Sequence, residues 1–348
     1  MTHAFSVFVS NAADGEIGAY RLDPATGKLE SHARYRADDN VMPLALSSDG
    51  ASLYAATRGA QPSIVTFALD ASNGTLTRKH AAPIESNLAY LSADATGRYL
   101  LGASYGEDRV SLYDAARGTA LQFADGIKHA HSIVSTRDGR FAYAASLGAD
   151  TLHVFELRDG ALHALEVVTV DKNFGPRHLR FSPDESTLYV VSEFRATVAA
   201  FKRDAATGKL GAMKMSEPPA ALAHLEHGRV RPSFASGQQI DPAVLAKLIW
   251  GADMQLTPDG RFVYVCERTS NRLIAYDAQT LRYIGFTDTE AQPRGFRIDP
   301  TGRFLIACGE KSSHVSAYSI DADTGALTLL SRCEGGKGAN WVEIVAQS

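Results

Sequence analysis

Apolar positions along the chain fall into short runs that stop at turn residues and then resume in the opposite direction. The clearest case is Pro293–Glu310, PRGFRIDPTGRFLIACGE. An apolar run ends at Asp299-Pro300-Thr301-Gly302, and Arg303–Cys308 runs back, which reads as strand, tight turn, strand. The same unit recurs at Pro43–Arg58, Leu88–Tyr105, Ala130–Leu147, Pro176–Glu193 and Gly251–Arg268. Its turn position is Gly50, Gly97, Gly139, Glu185, Gly260 and Gly302 in chain order, at steps of 47, 42, 46, 75 and 42 residues.

A strand-rich repeat of ~40–50 residues predicts a β-propeller with one four-stranded antiparallel blade per repeat. The outer half of each blade is also legible. Asp-x-x-x-Gly recurs at Asp23/Gly27, Asp70/Gly74, Asp204/Gly208 and Asp321/Gly325, each time with a leucine two residues on. These are the turns of second hairpins. The second blade, by contrast, reads as having a clipped outer hairpin around Ala115–Gly118. Six inner hairpins leave fragments at both ends, Phe5–Ser10 with Ile17–Leu22 and Trp341–Val345. Together they make a seventh blade, and closing the ring removes exposed sheet edges. The expectation is an all-β, seven-bladed propeller forming a single domain over 1–348. The 75-residue step marks an insertion over 216–250, a loop followed by a short helix across 240–250 with Asp241 as its N-cap and Pro242 first. It ends just before the fifth inner strand, so it is expected over one end of the channel.

Composition narrows the setting. An apolar content of 45% suits a large core, and a net charge of −4 provides no general field for nucleic acid or anionic membrane. Three cysteines, Cys266, Cys308 and Cys333, read as free thiols. Met1–Phe5 shows no basic leader and no run approaches the ~20 apolar residues of a membrane span. A cytoplasmic protein is expected, monomeric or weakly dimeric, with no nucleic-acid or membrane partner.

The repeats also align their polar residues. Eight positions before each turn stand Met42, Ala89, His131, Arg177, Ala252 and Arg294; one later come Pro43, Tyr90, Ser132, His178, Asp253 and Gly295. Eight positions after the turn stand Arg58, Tyr105, Leu147, Glu193, Arg268 and Glu310. The start of one strand and the end of its antiparallel partner lie at the same rim. One mouth of the channel is therefore expected to gather Arg58, Arg177, Arg268, Arg294, His131, His178, Asp253, Glu193 and Glu310. Any one such arginine is as often a solvated side chain or a carboxylate's partner. Their convergence points instead to a ligand pocket.

Several guanidiniums in a partly dry channel make an anion site, since arginine binds carboxylate or phosphate through two bonds at once. His131 and Glu193 are both candidates for acid or base. The sequence carries no zinc spacing, no glycine-rich nucleotide loop and no serine nucleophile elbow. Opening of a lactone without metal or cofactor fits best, with an arginine stabilising the oxyanion.

Several motifs resemble a known family. GPRH at Gly175–His178, Glu193 after its strand, ADM at Ala252–Met254, CERT at Cys266–Thr269, QPRGF at Gln292–Phe296 and GEKSSHVSAY at Gly309–Tyr318 are similar to the seven-bladed propeller lactonases. The nearest likeness is to the bacterial cycloisomerase-type 6-phosphogluconolactonases. The resemblance implies hydrolysis of 6-phospho-D-glucono-1,5-lactone to 6-phosphogluconate, in the pentose phosphate pathway. It implies a pocket of His131, Arg177, Glu193 and Arg268, with Arg294 matching a further family arginine. Taken with the register, His131, Arg177 and Glu193 are expected to be catalytic, and Arg58, His178, Asp253, Arg268, Arg294 and Glu310 substrate-binding. Glu310 departs from the family's usual glutamine, and the insertion is longer than in near relatives. The alternatives are a lactonase or cycloisomerase for another sugar acid or a muconate, and a non-enzymatic propeller scaffold.

Overall fold

All six predicted turn positions adopt the left-handed backbone, with φ from +68° to +74° at the five glycines and +55° at Glu185. The computed structural model describes residues 4–232, 237 and 240–347; Met1–His3 and the 233–236 and 238–239 stretches of the insertion lie outside them. Each turn joins the two inner strands of a blade, and two further antiparallel strands complete it. Seven four-stranded sheets result. In six of them the strands follow chain order from channel to rim. The seventh is closed by both ends of the chain: Ala339–Ala346 pairs with Phe5–Asn11, which continues into Glu16–Leu22 and Leu29–Arg36. The fold is the expected seven-bladed propeller.

The turn chemistry explains how neighbouring blades lock. The residue two places after the turn is Phe141, Phe262 or Phe304, and each packs beneath the outer turn glycine of the next blade, Gly208, Gly325 or Gly27. Tyr143 and Tyr264 donate to the carbonyls of the same Gly208 and Gly325 at 2.6 and 2.8 Å. A side chain at those glycines would collide with the phenyl ring, apart from its strained φ. The outermost strands alternate exposed and half-buried residues, as in Tyr283–Asp288, because one face meets water.

Two local expectations are corrected. The second blade's outer hairpin is complete, Arg109–Asp114 with Ala120–Asp125. Its turn is another Asp-x-x-x-Gly, with the Gly118 amide donating to the Asp114 carbonyl at 2.7 Å. The insertion's helix is shorter than 240–250: it covers Pro242–Leu245, capped by Asp241, which accepts from the Ala243 amide at 2.8 Å. Beyond it, Leu248 bridges to Glu226, and the Ile249 amide donates to the Glu226 carbonyl at 2.8 Å. That cross-link takes up an amide a longer helix would need.

Candidate active site

The innermost strands begin at one mouth of the channel, and there the pairing is irregular in a repeated way. In six blades the innermost strand carries one extra residue against its partner, in the closing blade at Asn340. In the other five the bulges fall at Ala89, His131, Arg177-His178, Ala252-Asp253 and Arg294. A bulge breaks the strict alternation of a strand and re-aims neighbouring side chains. Here it lets the adjacent residues Arg177 and His178 both engage the polar cluster at the channel mouth.

The centre of the mouth is an Arg–Glu–Arg clamp. Glu193 Oε2 accepts from Arg177 Nε at 2.8 Å, and Glu193 Oε1 lies 3.1 Å from Arg268. Arg177 also donates to the Ala252 carbonyl at 2.6 Å, and Arg268 to the Trp250 carbonyl at 3.1 Å. Arg177, Glu193 and Arg268 are only 1%, 5% and 8% exposed. A solvated scaffold face would not bury them so. Burial alone would raise the Glu193 pKa, but Arg268 and then Arg177 outweigh it and hold the carboxylate below its usual range.

Beneath Arg177 runs a second chain. His178 Nδ1 and Asp253 Oδ1 are 2.7 Å apart, and His178 Nε2 lies 3.0 Å from an Arg177 nitrogen. The carboxylate only accepts and the guanidinium only donates, so this imidazole is neutral with its proton on Nδ1. Burial, then Arg177, pushes its pKa down to about 3. His131 sits beside it, ring centroids 5.4 Å apart, with no partner at Nδ1. Burial, then Arg177, keeps His131 neutral as well.

Arg294, Glu310 and Arg58 form a neighbouring group. Arg294 pairs with Glu310 at 3.0 Å, and Gln292 donates to the other Glu310 oxygen at 2.7 Å. Arg58 is anchored by a 2.7 Å bond from Nε to the Leu88 carbonyl, and burial followed by Arg294 pushes its pKa down to about 9. All nine residues read from the register thus fall into two adjoining clusters, with His178 and Asp253 supporting Arg177 from below.

The expected rim set omitted several residues, Tyr90 among them although the register reaches it. Tyr90 and Trp341 pack edgewise at 5.3 Å, each against His178, and floor the mouth. They also line a cavity of about 380 Å³ that continues along the inner strands to Arg180, Gln255, Arg297 and Glu343. Each of those four lies two residues beyond a mouth position, on the same face of its strand. Arg180 bonds Tyr90 and Gln255 and lies 3.5 Å from Asp253. Period two was the available signal. Arg231 and Trp250, from the insertion, have no counterpart in the repeat and gave none.

A seven-fold propeller with an arginine-clamped glutamate and neutral histidines at one channel mouth defines a class. The chain matches the family described as Lactonase, 7-bladed beta-propeller, over residues 6–344, and belongs to it. It is 32% identical to a 6-phosphogluconolactonase of Serratia proteamaculans, covering 98% of this chain and 99% of that one. It is 34% identical to a 6-phosphogluconolactonase of Photorhabdus laumondii, covering 88% of each. A Pseudomonas aeruginosa periplasmic gluconolactonase shares the fold, with a TM-score of 0.81 at 24% identity over 99% of this chain and 100% of that one.

Proposed function

We propose that this protein is a lactonase that hydrolyses 6-phospho-D-glucono-1,5-lactone to 6-phosphogluconate at the clamped mouth of its channel. The observation that carries this reading is the dry Arg177–Glu193–Arg268 clamp with neutral His131 beside it. Water attacks the lactone carbonyl while His131 takes its proton. The negative charge that develops on the carbonyl oxygen is met by Arg177 and Arg268, whose positions Glu193 fixes in advance. Collapse breaks the bond from C1 to the ring oxygen, which recovers the proton from the imidazolium. The new carboxylic acid then ionises and releases one proton to solution. His131 acts as base in this reading because Glu193 is already committed to two guanidiniums.

A phosphorylated sugar is retained inside a membrane, so the reading places the enzyme in the cytoplasm, as a hydrolytic step of the pentose phosphate pathway. Arg231 and Trp250 of the insertion reach this mouth, and the enzyme acts as a monomer or weak dimer. The test is acid release from freshly made lactone with folded enzyme. A rate no faster than spontaneous opening rejects the proposal. Glu310 supports a second reading, a lactone of an unphosphorylated acid, because its carboxylate offsets Arg294. Competition between phosphorylated and unphosphorylated lactones separates the two.

A further inference from the structure

Arg231 lies in the insertion and touches the rim at two distant points. Its backbone carbonyl accepts from the Tyr105 hydroxyl at 2.7 Å. Its guanidinium stands 3.8 Å over the ring of Trp250. Tyr105 ends an inner hairpin in the second blade and Trp250 immediately precedes the fifth. Between them stand the third and fourth blades, which supply His131 and Glu193. The Tyr105 ring meets His131 edge-on at 6.1 Å, and the Trp250 carbonyl anchors Arg268. Arg231 is therefore stretched across the mouth, above the clamp.

The charge count gives this position meaning. Arg177 and Arg268 are committed to Glu193, and Arg294 to Glu310. Among the described residues, neither Arg58 nor Arg231 has a carboxylate at ion-pair distance, although Glu107 acts on Arg58 from further off. Arg58, Arg177, Arg231, Arg268 and Arg294 face Glu193, Glu310 and the more distant Glu107, an excess of two positive charges, and Asp253 is matched by Arg180 at 3.5 Å. Burial and Arg268 lower the Arg231 pKa only to about 10, so the group stays charged. An unphosphorylated lactone has no charge to meet that excess, whereas a phosphate monoester carries roughly two negative charges at neutral pH. Stacking on Trp250 leaves the guanidinium edge available for a bidentate contact.

We propose that Arg231, with Arg58 and Arg294, forms a phosphate-binding half of the pocket, and that Arg231 sets the preference for phosphorylated over unphosphorylated lactones. The substrate named here rests on the lactonase reading; the anion site does not. The experiment compares wild type, Arg231→Met and Arg231→Lys, each with its melting temperature measured. Turnover is followed on 6-phosphogluconolactone and on glucono-1,5-lactone, and binding of 6-phosphogluconate and of gluconate by calorimetry. The expected result is that Arg231→Met lowers kcat/KM for the phosphorylated lactone at least tenfold more than for the other, through KM. Binding of 6-phosphogluconate weakens in step, and Arg231→Lys recovers part of both. Equal losses on the two lactones, or no loss on either, overturn the proposal. If the wild type opens neither lactone, the lactonase reading falls, and 6-phosphogluconate binding alone decides. Equal affinity in wild type and Arg231→Met then overturns the anion site, and weaker affinity in Arg231→Met upholds it.

Discussion

Arg177 Nε sits 2.8 Å from Glu193 Oε2, and the two side chains are 1% and 7% exposed. They stand at opposite ends of one hairpin, at the same rim. Removing one partner from a buried pair costs about 3–5 kcal/mol, because the other charge is left without compensation. Here Arg177 and Arg268 would be left facing each other. Glu193→Ala is therefore expected to lower the unfolding free energy by about 3 kcal/mol. It should lower kcat/KM on the lactone by about 10²–10³-fold, the scale of a lost oxyanion donor. Denaturant melts and initial rates check both; activity within threefold of wild type would contradict the clamp's role.

His131 is expected to behave as the base. His131→Gln removes the proton acceptor while keeping a polar side chain, and kcat should fall by about 10²–10⁴-fold. Because burial keeps the imidazole neutral, the acid limb of the wild-type pH profile should lie well below the ordinary histidine value of 6.5. A midpoint near 6.5 in kcat against pH would count against this assignment.

The same burial makes stability depend on pH. His131 and His178 both have folded pKa values below their unfolded value of 6.5, His178 at about 3. The unfolded chain then binds protons that the folded one refuses. The His178 contribution is full above 6.5 and is lost as pH falls from 6.5 toward about 3, by about 1.4 kcal/mol per pH unit, and His131 adds a loss of the same sign below 6.5. Unfolding free energies at pH 7 and pH 5 should differ accordingly, and His178→Gln should lessen the slope. A flat profile over that interval would show that these imidazoles are protonated in the fold.

The six inner hairpins and the closing blade were readable because they rest on local chemistry: turn residues, alternation and a constant spacing. The site was readable for a less obvious reason. Counting offsets assumes uniform pairing, and the strands at the mouth are bulged. The count still converged because five of the six counted hairpins carry the bulge at the same place. Arg180 and Gln255 were legible in principle, since each lies two residues deeper than a rim position on the same face of its strand. Arg231 was not legible, since nothing in the repeat gives a register to an insertion. The helix over 240–250 overran because its apolar spacing comes from Leu248 and Trp250 packing on Phe194 and Leu147, outside any helix.

Close approach between blades should make some small residues irreplaceable. A Cβ at Gly295 would lie 2.5 Å from the Asn340 carbonyl oxygen and 2.9 Å from the Trp341 Cα, both backbone atoms of the closing blade. Neither can rotate away, so the sixth and seventh blades must separate. Gly295→Ala is expected to cost about 1–3 kcal/mol, the usual range for overpacking. It should also disturb catalysis, because Trp341 packs on His178. Thermal melting and kcat check this, and a variant as stable as wild type would show that the blades yield freely.

Glu310 bears on which lactone the pocket prefers. Its carboxylate holds Arg294 at 3.0 Å and takes a further bond from Gln292, and Arg294 and then Arg268 keep it ionised. A glutamine there would keep the shape and remove one negative charge from a site proposed to receive a phosphate. Two unit charges about 8 Å apart interact by about 2 kcal/mol at an effective dielectric of 20. After partial screening, Glu310→Gln should lower KM for the phosphorylated lactone by roughly three- to tenfold. For glucono-1,5-lactone, which carries no charge, KM should shift much less. Steady-state kinetics on both substrates, repeated at high salt, separate charge from shape, because a charge effect shrinks as ionic strength rises. A rise in KM for the phosphorylated lactone would mean instead that Glu310 is needed to orient Arg294, and the pair would then have to be treated as one binding unit.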